Sequence, residues 1–232
     1  MKRLILFDID GTILSTNGAA KSAFHRALLE VYGTAGPIDT HPFDGKTDPQ
    51  IARELLQLAG LETEAIDRGL DALWRAYLRE LARELGRPGY ASTVYPGVHE
   101  IVEALLARPT DAVVGLLTGN VEPGAALKLA SVGLDGRFGF GAFGSDHERR
   151  DHLPAIAVER ARERTGRTFR DKDIVIIGDT PYDVTCGQAL GVRAVAVATG
   201  RYDAAELQAA GADVVLPDLS ETEAVLDMLL GE

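Results

Sequence analysis

Apolar residues along this chain fall into two textures. Short continuous runs rich in β-branched and aromatic types read as strands buried on both faces, and longer stretches with apolar residues three and four apart read as amphipathic helices. Leu4-Ile5-Leu6-Phe7 is the first strand, and Asp8-Ile9-Asp10-Gly11 follows it directly. Helical spacing then takes over. Ala20, Phe24, Ala27, Leu28 and Val31 form one stripe that ends at Gly33. After a loop holding Gly36, Pro37, Pro42 and Gly45, Asp48-Pro49 reads as an N-cap with proline at the first helical position, leading a helix with Ile51, Leu55 and Leu58. A longer helix from about Glu62 to Leu85 carries Ile66, Leu70, Leu73, Tyr77 and Leu81 and stops at Gly86. No strand pattern interrupts these helices. Residues 15–93 therefore read as an all-helical insert of about 80 residues, large enough for a small domain with Trp74 and Tyr77 in its core.

From Val94 the chain alternates helices with strands. Tyr95-Pro96-Gly97-Val98 opens a helix through Ala107, and Ala112 to Leu117 is an apolar strand that closes on Thr118-Gly119-Asn120. A helix starts at Pro123, a glycine-loosened strand is expected over Phe138 to Phe143, and Leu153 to Thr165 is helical. Ile174 to Ile177 is a buried strand, and Pro181 begins the next helix. Val192 to Ala198, Asp203 to Ala210, Val214 to Leu216 and a last helix complete the series, with Ser220 and Glu223 spaced for a capping box. This alternation predicts an α/β fold: a doubly wound parallel sheet built from residues 1–14 and 94–232, with the helical segment inserted.

Composition narrows the classes. A formal net charge of −11 argues against a nucleic-acid partner. No apolar run approaches the roughly 20 residues that span a bilayer, and the N-terminus lacks a signal-peptide layout. Membrane association is therefore not expected. A single cysteine, Cys186, forms no internal disulfide, which fits a reducing cytoplasm. The chain is expected to act as a monomer or homodimer. An acidic protein that binds an anionic ligand must supply local positive charge, from a metal or from placed Lys and Arg.

Several residues are placed for chemistry. Extended backbone sends alternate side chains the same way, so Asp8 and Asp10 are expected to project together from a strand end, the edge where open α/β sheets bind ligands. Acids at such a place also occur as a solvated turn. Thr118-Gly119-Asn120 lies between a strand end and a helix start, where free N–H groups attract phosphate, although the same tripeptide reads equally as an Asx turn. Thr180-Pro181 reads as a helix cap and first position, placing Asp183 in the first turn. An acid there is ordinary dipole compensation. Asp179 is different, because a carboxylate leaving a buried strand needs a partner. If Asp8, Asp10 and Asp179 converge, a hard divalent cation would offset their repulsion, and an all-oxygen set suits Mg²⁺. The five histidines are scattered and read as surface or structural.

The run Leu6-Phe7-Asp8-Ile9-Asp10-Gly11-Thr12-Ile13-Leu14 resembles the nucleophile motif of the haloacid dehalogenase superfamily. Leu117-Thr118-Gly119-Asn120 resembles its second motif, and Gly178-Asp179-Thr180-Pro181-Tyr182-Asp183 closely matches its fourth. The resemblance spans nearly the whole chain and is nearest to phosphoglycolate phosphatase-like members with a helical cap. It implies a Mg²⁺-dependent phosphatase acting on a small phosphorylated metabolite, phosphoglycolate or a sugar phosphate being typical. Asp8 would be the nucleophile that forms an aspartyl-phosphate, and Asp10 the acid and base. Thr118 would hold a phosphoryl oxygen, with Gly119 and Asn120 on the substrate, and Asp8, Asp10, Asp179 and Asp183 on the metal. The third motif departs from the family: where relatives carry Lys-Pro before a helix, this chain reads Glu148-Arg149-Arg150-Asp151-His152-Leu153-Pro154. Arg150 is the expected cation and Arg149 the alternate. Phe43-Asp44-Gly45-Lys46-Thr47-Asp48 resembles the cap loop that faces the site, with Lys46 positioned to recognise a distal anionic group. A phosphomutase would use the same residues, and a phosphonatase would need Lys46 as a Schiff base. A 2-haloacid dehalogenase is disfavoured by the paired acids, and an idle binding module of the same fold by the intact acids at 8, 10, 179 and 183.

Overall fold

The computed structural model describes residues 2–231; residues 1 and 232, the outer ends of the two expected core segments, lie outside the described residues. In chain order the elements are β1 (Arg3–Phe7), β2 (Leu14–Ser15), α1 (Ala19–Tyr32), α2 (Asp48–Leu58), α3 (Thr63–Leu85), β3 (Thr93–Val94), α4 (Val98–Leu106), β4 (Ala112–Leu117), α5 (Glu122–Ala130), β5 (Gly141–Ala142), α6 (Leu153–Thr165), β6 (Ile174–Gly178), α7 (Pro181–Cys186), β7 (Arg193–Val197), α8 (Ala204–Ala209), β8 (Val214–Leu216) and α9 (Thr222–Leu230). Six of the strands form one parallel sheet in the order β5-β4-β1-β6-β7-β8. The chain winds outward from β1 through β4 and β5, then returns to wind outward the other way through β6, β7 and β8. That reversal opens a crevice at the carboxyl ends of β1, β4 and β6.

The sheet is held by alternation. Ile5 and Phe7 of β1 face one helical layer, with Ile101, Leu105, Leu226 and Leu229 of α4 and α9. Leu4 and Leu6 face the other, with Leu153, Ala157 and Ala161 of α6. Leu4, Ile5, Leu6 and Phe7 are fully buried, each contributing about 1.5–3 kcal/mol of transfer free energy. A central strand anchored on both faces gives the residues at its end little freedom.

The helical segment leaves and rejoins the sheet domain through one ribbon, with Leu14 paired antiparallel to Val94 and Ser15 to Thr93. Its three helices enclose a separate core in which Phe24 meets Tyr77 edge-on at 5.2 Å and Phe43 at 6.0 Å. Among the described residues no helix is long and apolar enough to cross a membrane.

Three local expectations need correcting. The strand expected over Phe138 to Phe143 reduces to Gly141–Ala142, because Phe138 turns aside to pack edge-on against Phe7 at 6.0 Å. The N-cap of α2 is Thr47, whose hydroxyl accepts the Gln50 N–H, and Asp48 is the first helical residue. Ser220 caps nothing, since its hydroxyl donates to Asp218 at 2.6 Å and α9 starts beyond it. Full capping boxes form instead at Thr180 with Asp183 and at Asp203 with Glu206.

Where β3 hands over to α4, Gly97 sits at φ +79° and a Cβ there would collide with the Leu219 carbonyl. Gly133 has a similar φ of +73° but open space around it. A left-handed non-glycine residue costs about 1–3 kcal/mol, and about 2–4 °C of Tm accompanies each kcal/mol in a chain of this size. Gly97→Ala is expected to lower the Tm by at least twice the fall seen for Gly133→Ala in parallel thermal melts.

Candidate active site

Four segments bring Asp8, Asp179, Asp183 and Arg150 to the crevice. Asp8 follows β1, and its N–H donates to the Ile177 carbonyl at 2.9 Å, extending the parallel ladder by one residue. Asp179 follows β6. Asp183 is fixed by the first turn of α7, where one of its oxygens accepts the Thr180 N–H at 3.0 Å and the Thr180 hydroxyl at 2.7 Å. Carboxylate oxygens of Asp8, Asp179 and Asp183 lie within 4.8 Å of one another, all buried. Gly11 and Gly200 press against the Asp179 carboxylate so closely that a Cβ on either would overlap it. The Thr12 hydroxyl donates to Asp179 at 3.1 Å.

Arg150 enters this cluster from the turn before α6. Its Nη2 donates to Asp8 at 2.9 Å and also to the second oxygen of Asp183. Arg149 points outward and pairs with Asp151 at 2.6 Å, with its side chain 70% exposed. Of the two arginines left open by the sequence, the structure brings Arg150 to the carboxylates.

One guanidinium does not balance three acids. Burial, then the neighbouring charges of Asp183 and Asp10, push the Asp8 carboxyl up to about 7, although Arg150 pulls the other way. Asp179 is pushed further, to about 9, by burial and by the charges of Asp183 and Asp8. Burial disfavours the charge on Arg150, but Asp183 and Asp8 more than offset this and hold it protonated. Three oxygen donors short of positive charge form the donor set a hard cation binds. The residues therefore fit a metal site at Asp8, Asp179 and Asp183. Cys186, beside Arg150, has its thiol pushed up to about 12 by burial and remains protonated.

Asp10 stands apart. Its carboxylate is not in the cluster, and its side chain is 44% exposed. It accepts from Asn120 Nδ2 at 2.7 Å and, on both oxygens, from Lys128 Nζ at 2.7 Å. The two acids of the first motif thus share a cleft but take different cations. Asn120 ties this second centre to Thr118, donating to its hydroxyl at 2.7 Å, while Lys128 donates to Asn120 Oδ1 at 2.5 Å. Lys128 was invisible in the sequence because a lysine in the last turn of a helix reads as dipole compensation.

The helical segment is stitched to these same loops. Gly119 lies directly under the Lys46 carbonyl and has no room for a Cβ. The Asp48 N–H donates to the Gly119 carbonyl at 2.8 Å, and the Asp48 carboxylate accepts the Val121 N–H at 2.8 Å. Thr47 donates to the Glu148 carbonyl at 2.5 Å, and Arg53 grips the Glu148 side chain at 3.0 Å. Between the two parts lies a cleft of about 500 Å³ whose wall includes Asp8, Asp10, Thr118, Lys46 and Phe43. Lys46 reaches this cleft already paired with Glu54 at 2.5 Å. His41, expected to be structural or on the surface, also lines it, bound to the same Glu54 at 2.8 Å.

A doubly wound sheet carries acids at the ends of β1 and β6 and is closed on one side by a helical insert, an arrangement shared by a class of hydrolytic enzymes. The family model of haloacid dehalogenase-like hydrolases matches residues 5–188, and the chain belongs to that family. It is 26% identical to "Probable phosphatase IndB" of Dickeya dadantii over 99% of this chain and 96% of that protein. It is likewise 26% identical to the phosphoglycolate phosphatase of Rhodospirillum rubrum, over 95% of this chain and 89% of the relative. Among solved structures, a predicted phosphoglycolate phosphatase from Haemophilus somnus superposes with a TM-score of 0.71 over 97% of this chain and 98% of that one. At 19% identity this last likeness speaks to the fold alone.

Arg150→Ala removes the one guanidinium held between Asp8 and Asp183 and is expected to cost roughly 10²–10³ in kcat, as for other preorganised charges. Arg150→Lys should recover part of this, since a point charge does not reproduce a planar fork. Arg149→Ala should be nearly silent. Reversed behaviour of the two alanine variants in steady-state assays would place the cation one residue earlier.

Proposed function

We propose that this chain is a Mg²⁺-dependent phosphatase that hydrolyses a small phosphorylated metabolite through an aspartyl-phosphate on Asp8. The observation that carries the reading is the division of the cleft into two carboxylate centres. Asp8 sits buried beside Arg150 in a cluster suited to a hard cation, and Asp10 lines the same cleft outside that cluster. The curated relatives named as phosphatases, matched over nearly their whole length, support the same class.

In this reading an Asp8 oxygen forms a bond to phosphorus as the bond to the leaving oxygen breaks, and Asp10 protonates the departing alcoholate. Asp10 then takes a proton from the water that attacks the phosphoryl group, and the Asp8 carboxylate is released with inorganic phosphate. Arg150 keeps Asp8 oriented and lessens its repulsion toward the incoming dianion. Thr118 and the N–H groups after β4 hold phosphoryl oxygens. Asp8, Asp179 and Asp183 would hold a Mg²⁺, which when bound would supply charge neutralisation for the transferring group. Residues 15–93 act as the cap over the cleft and exclude water. The reaction belongs in the cytoplasm, in keeping with a lone buried thiol.

Asp8→Asn is expected to abolish turnover of p-nitrophenyl phosphate without lowering the Tm, and excess EDTA to abolish wild-type turnover until Mg²⁺ is restored. Full activity in either condition would falsify the mechanism.

The pairing of Lys46 with Glu54 bears on specificity. An anionic tail must compete with Glu54 for that ammonium, so Glu54→Gln should lower the KM of a carboxylate-tailed ester severalfold and Lys46→Ala should raise it by about tenfold. A neutral-tailed ester should respond to neither. Equal responses of both esters would place Lys46 outside the binding surface.

A further inference from the structure

We infer that Lys128 is the positioning residue of this site: it holds the Asp10 carboxylate apart from the Asp8, Asp179 and Asp183 cluster. The inference rests on the proposed role of Asp10 and deepens it.

Lys128 occupies the last turn of α5, and a lysine there ordinarily lies exposed against the helix C-terminus. This one is buried, with its side chain 4% exposed. Helical side chains lean back over the preceding turn, and the residue one turn earlier is Gly124, which presents no side chain in the way. The ammonium therefore runs along the buried face of α5 to the cleft, where it makes three contacts. Two go to the oxygens of Asp10 at 2.7 Å and one to Asn120 Oδ1 at 2.5 Å.

Dipole compensation needs none of this. It works from the surface, whereas an ammonium taken out of water is costly unless it is paired and its donors are satisfied. Here the donors are spent on Asp10 and on the amide that itself holds Asp10. Asn120 Nδ2 donates to Asp10 Oδ2 at 2.7 Å and to Thr118 Oγ1 at 2.7 Å. Lys128 and Asn120 thus form a cradle that fixes the rotamer of an otherwise half-exposed carboxylate. Asp48, on the inserted helix α2, is the other acid that feels the Lys128 charge.

The consequence is spatial. Asp8 and Asp10 are two residues apart on one segment, and a cation drawing in Asp8 would equally draw in a free Asp10. A second, protein-borne cation outside the cluster removes that competition. Asp10 is then left at a fixed distance from the bond it must serve, and small misplacements of such a group cost rate steeply.

The test is a double-mutant cycle on Lys128 and Asp10, read as kcat on p-nitrophenyl phosphate and glycerol 2-phosphate. Asp10→Asn and Lys128→Met are each expected to lower kcat by about 10²-fold or more, the usual scale for general acid–base groups. Adding Lys128→Met to Asp10→Asn should lower it less than about threefold further, because groups acting as one unit are non-additive. Lys128→Arg should recover part of the loss, and a crystal structure of Lys128→Met should show the Asp10 carboxylate displaced from Asn120. Should Lys128→Met fail to fold, the same cycle is run with Lys128→Gln, which keeps a donor and removes the charge. Fully additive losses, or an Asp10 carboxylate unmoved in the variant crystal, would overturn the inference while leaving the proposed function standing. Wild-type turnover by Asp10→Asn would overturn the role of Asp10 and this inference with it.

Discussion

The site depends on holding like charges together inside the protein. Asp8, Asp179 and Asp183 have oxygens within 4.8 Å of one another, and each such pair costs roughly 3–4 kcal/mol at an effective dielectric near 20. The fold sustains this arrangement by fixing each acid from a different direction. Asp8 extends a strand that is buried on both faces. Asp179 is boxed in by the backbones of Gly11 and Gly200. Asp183 is held by a capping box that uses one oxygen and leaves the other for Arg150. None of the three can swing away to relieve the repulsion, so burial first and the neighbouring carboxylates second raise the proton affinity of Asp8 and Asp179. A site with excess negative charge and no freedom to relax is preorganised for a cation.

The same loops that carry the chemistry also carry the insert. Gly119 has its carbonyl bound by the Asp48 N–H and its α-carbon covered by the Lys46 carbonyl. Glu148, two residues before Arg150, is gripped by Thr47 and Arg53. The N-terminus of α2 therefore touches the loop after β4 and the loop before α6 at once. Displacing α2 would disturb the backbone that presents Thr118 and the turn that presents Arg150, which couples the cap side of the cleft to both through short hydrogen-bonded paths.

How far the sequence carried this picture depended on how local each signal was. Strands buried on both faces are legible because their apolar runs need no partner to be recognised, and Ala112–Leu117 lies at the residues its apolar run predicts. The Thr180 cap was legible because cap, proline and acid lie within four positions. Expectations failed where a tertiary contact took over a residue's local role. Ser220 spends its hydroxyl on Asp218, Asp48 spends its carboxylate on Val121, and Phe138 packs on Phe7 instead of extending a strand. Asp8 and Asp10 were expected to project together because strand periodicity applies to an extended chain. β1 ends at Phe7, so the alternation no longer governs where Asp10 points. Lys128 left no local trace at all, because its meaning lies entirely in Asp10, which is remote in the sequence.

That separation of two neighbouring acids gives the cleft its polarity. Arg150 stands with the metal-fitting cluster and Lys128 with Asp10, so two protein cations line one space. A dianion entering there meets two cations that are already paired with carboxylates, in a chain whose formal charge is −11, so the charge deficit of the Asp8, Asp179 and Asp183 cluster has to be made up by a further cation. Local placement overrides net charge because unscreened interactions across a few ångströms in a partly dry cleft far exceed those with exposed acids beyond a Debye length of about 8–10 Å. An acidic protein can therefore bind an anion, provided its cations are buried where the anion arrives and the carboxylates that pair with them are fixed so that a hard cation can offset their excess charge.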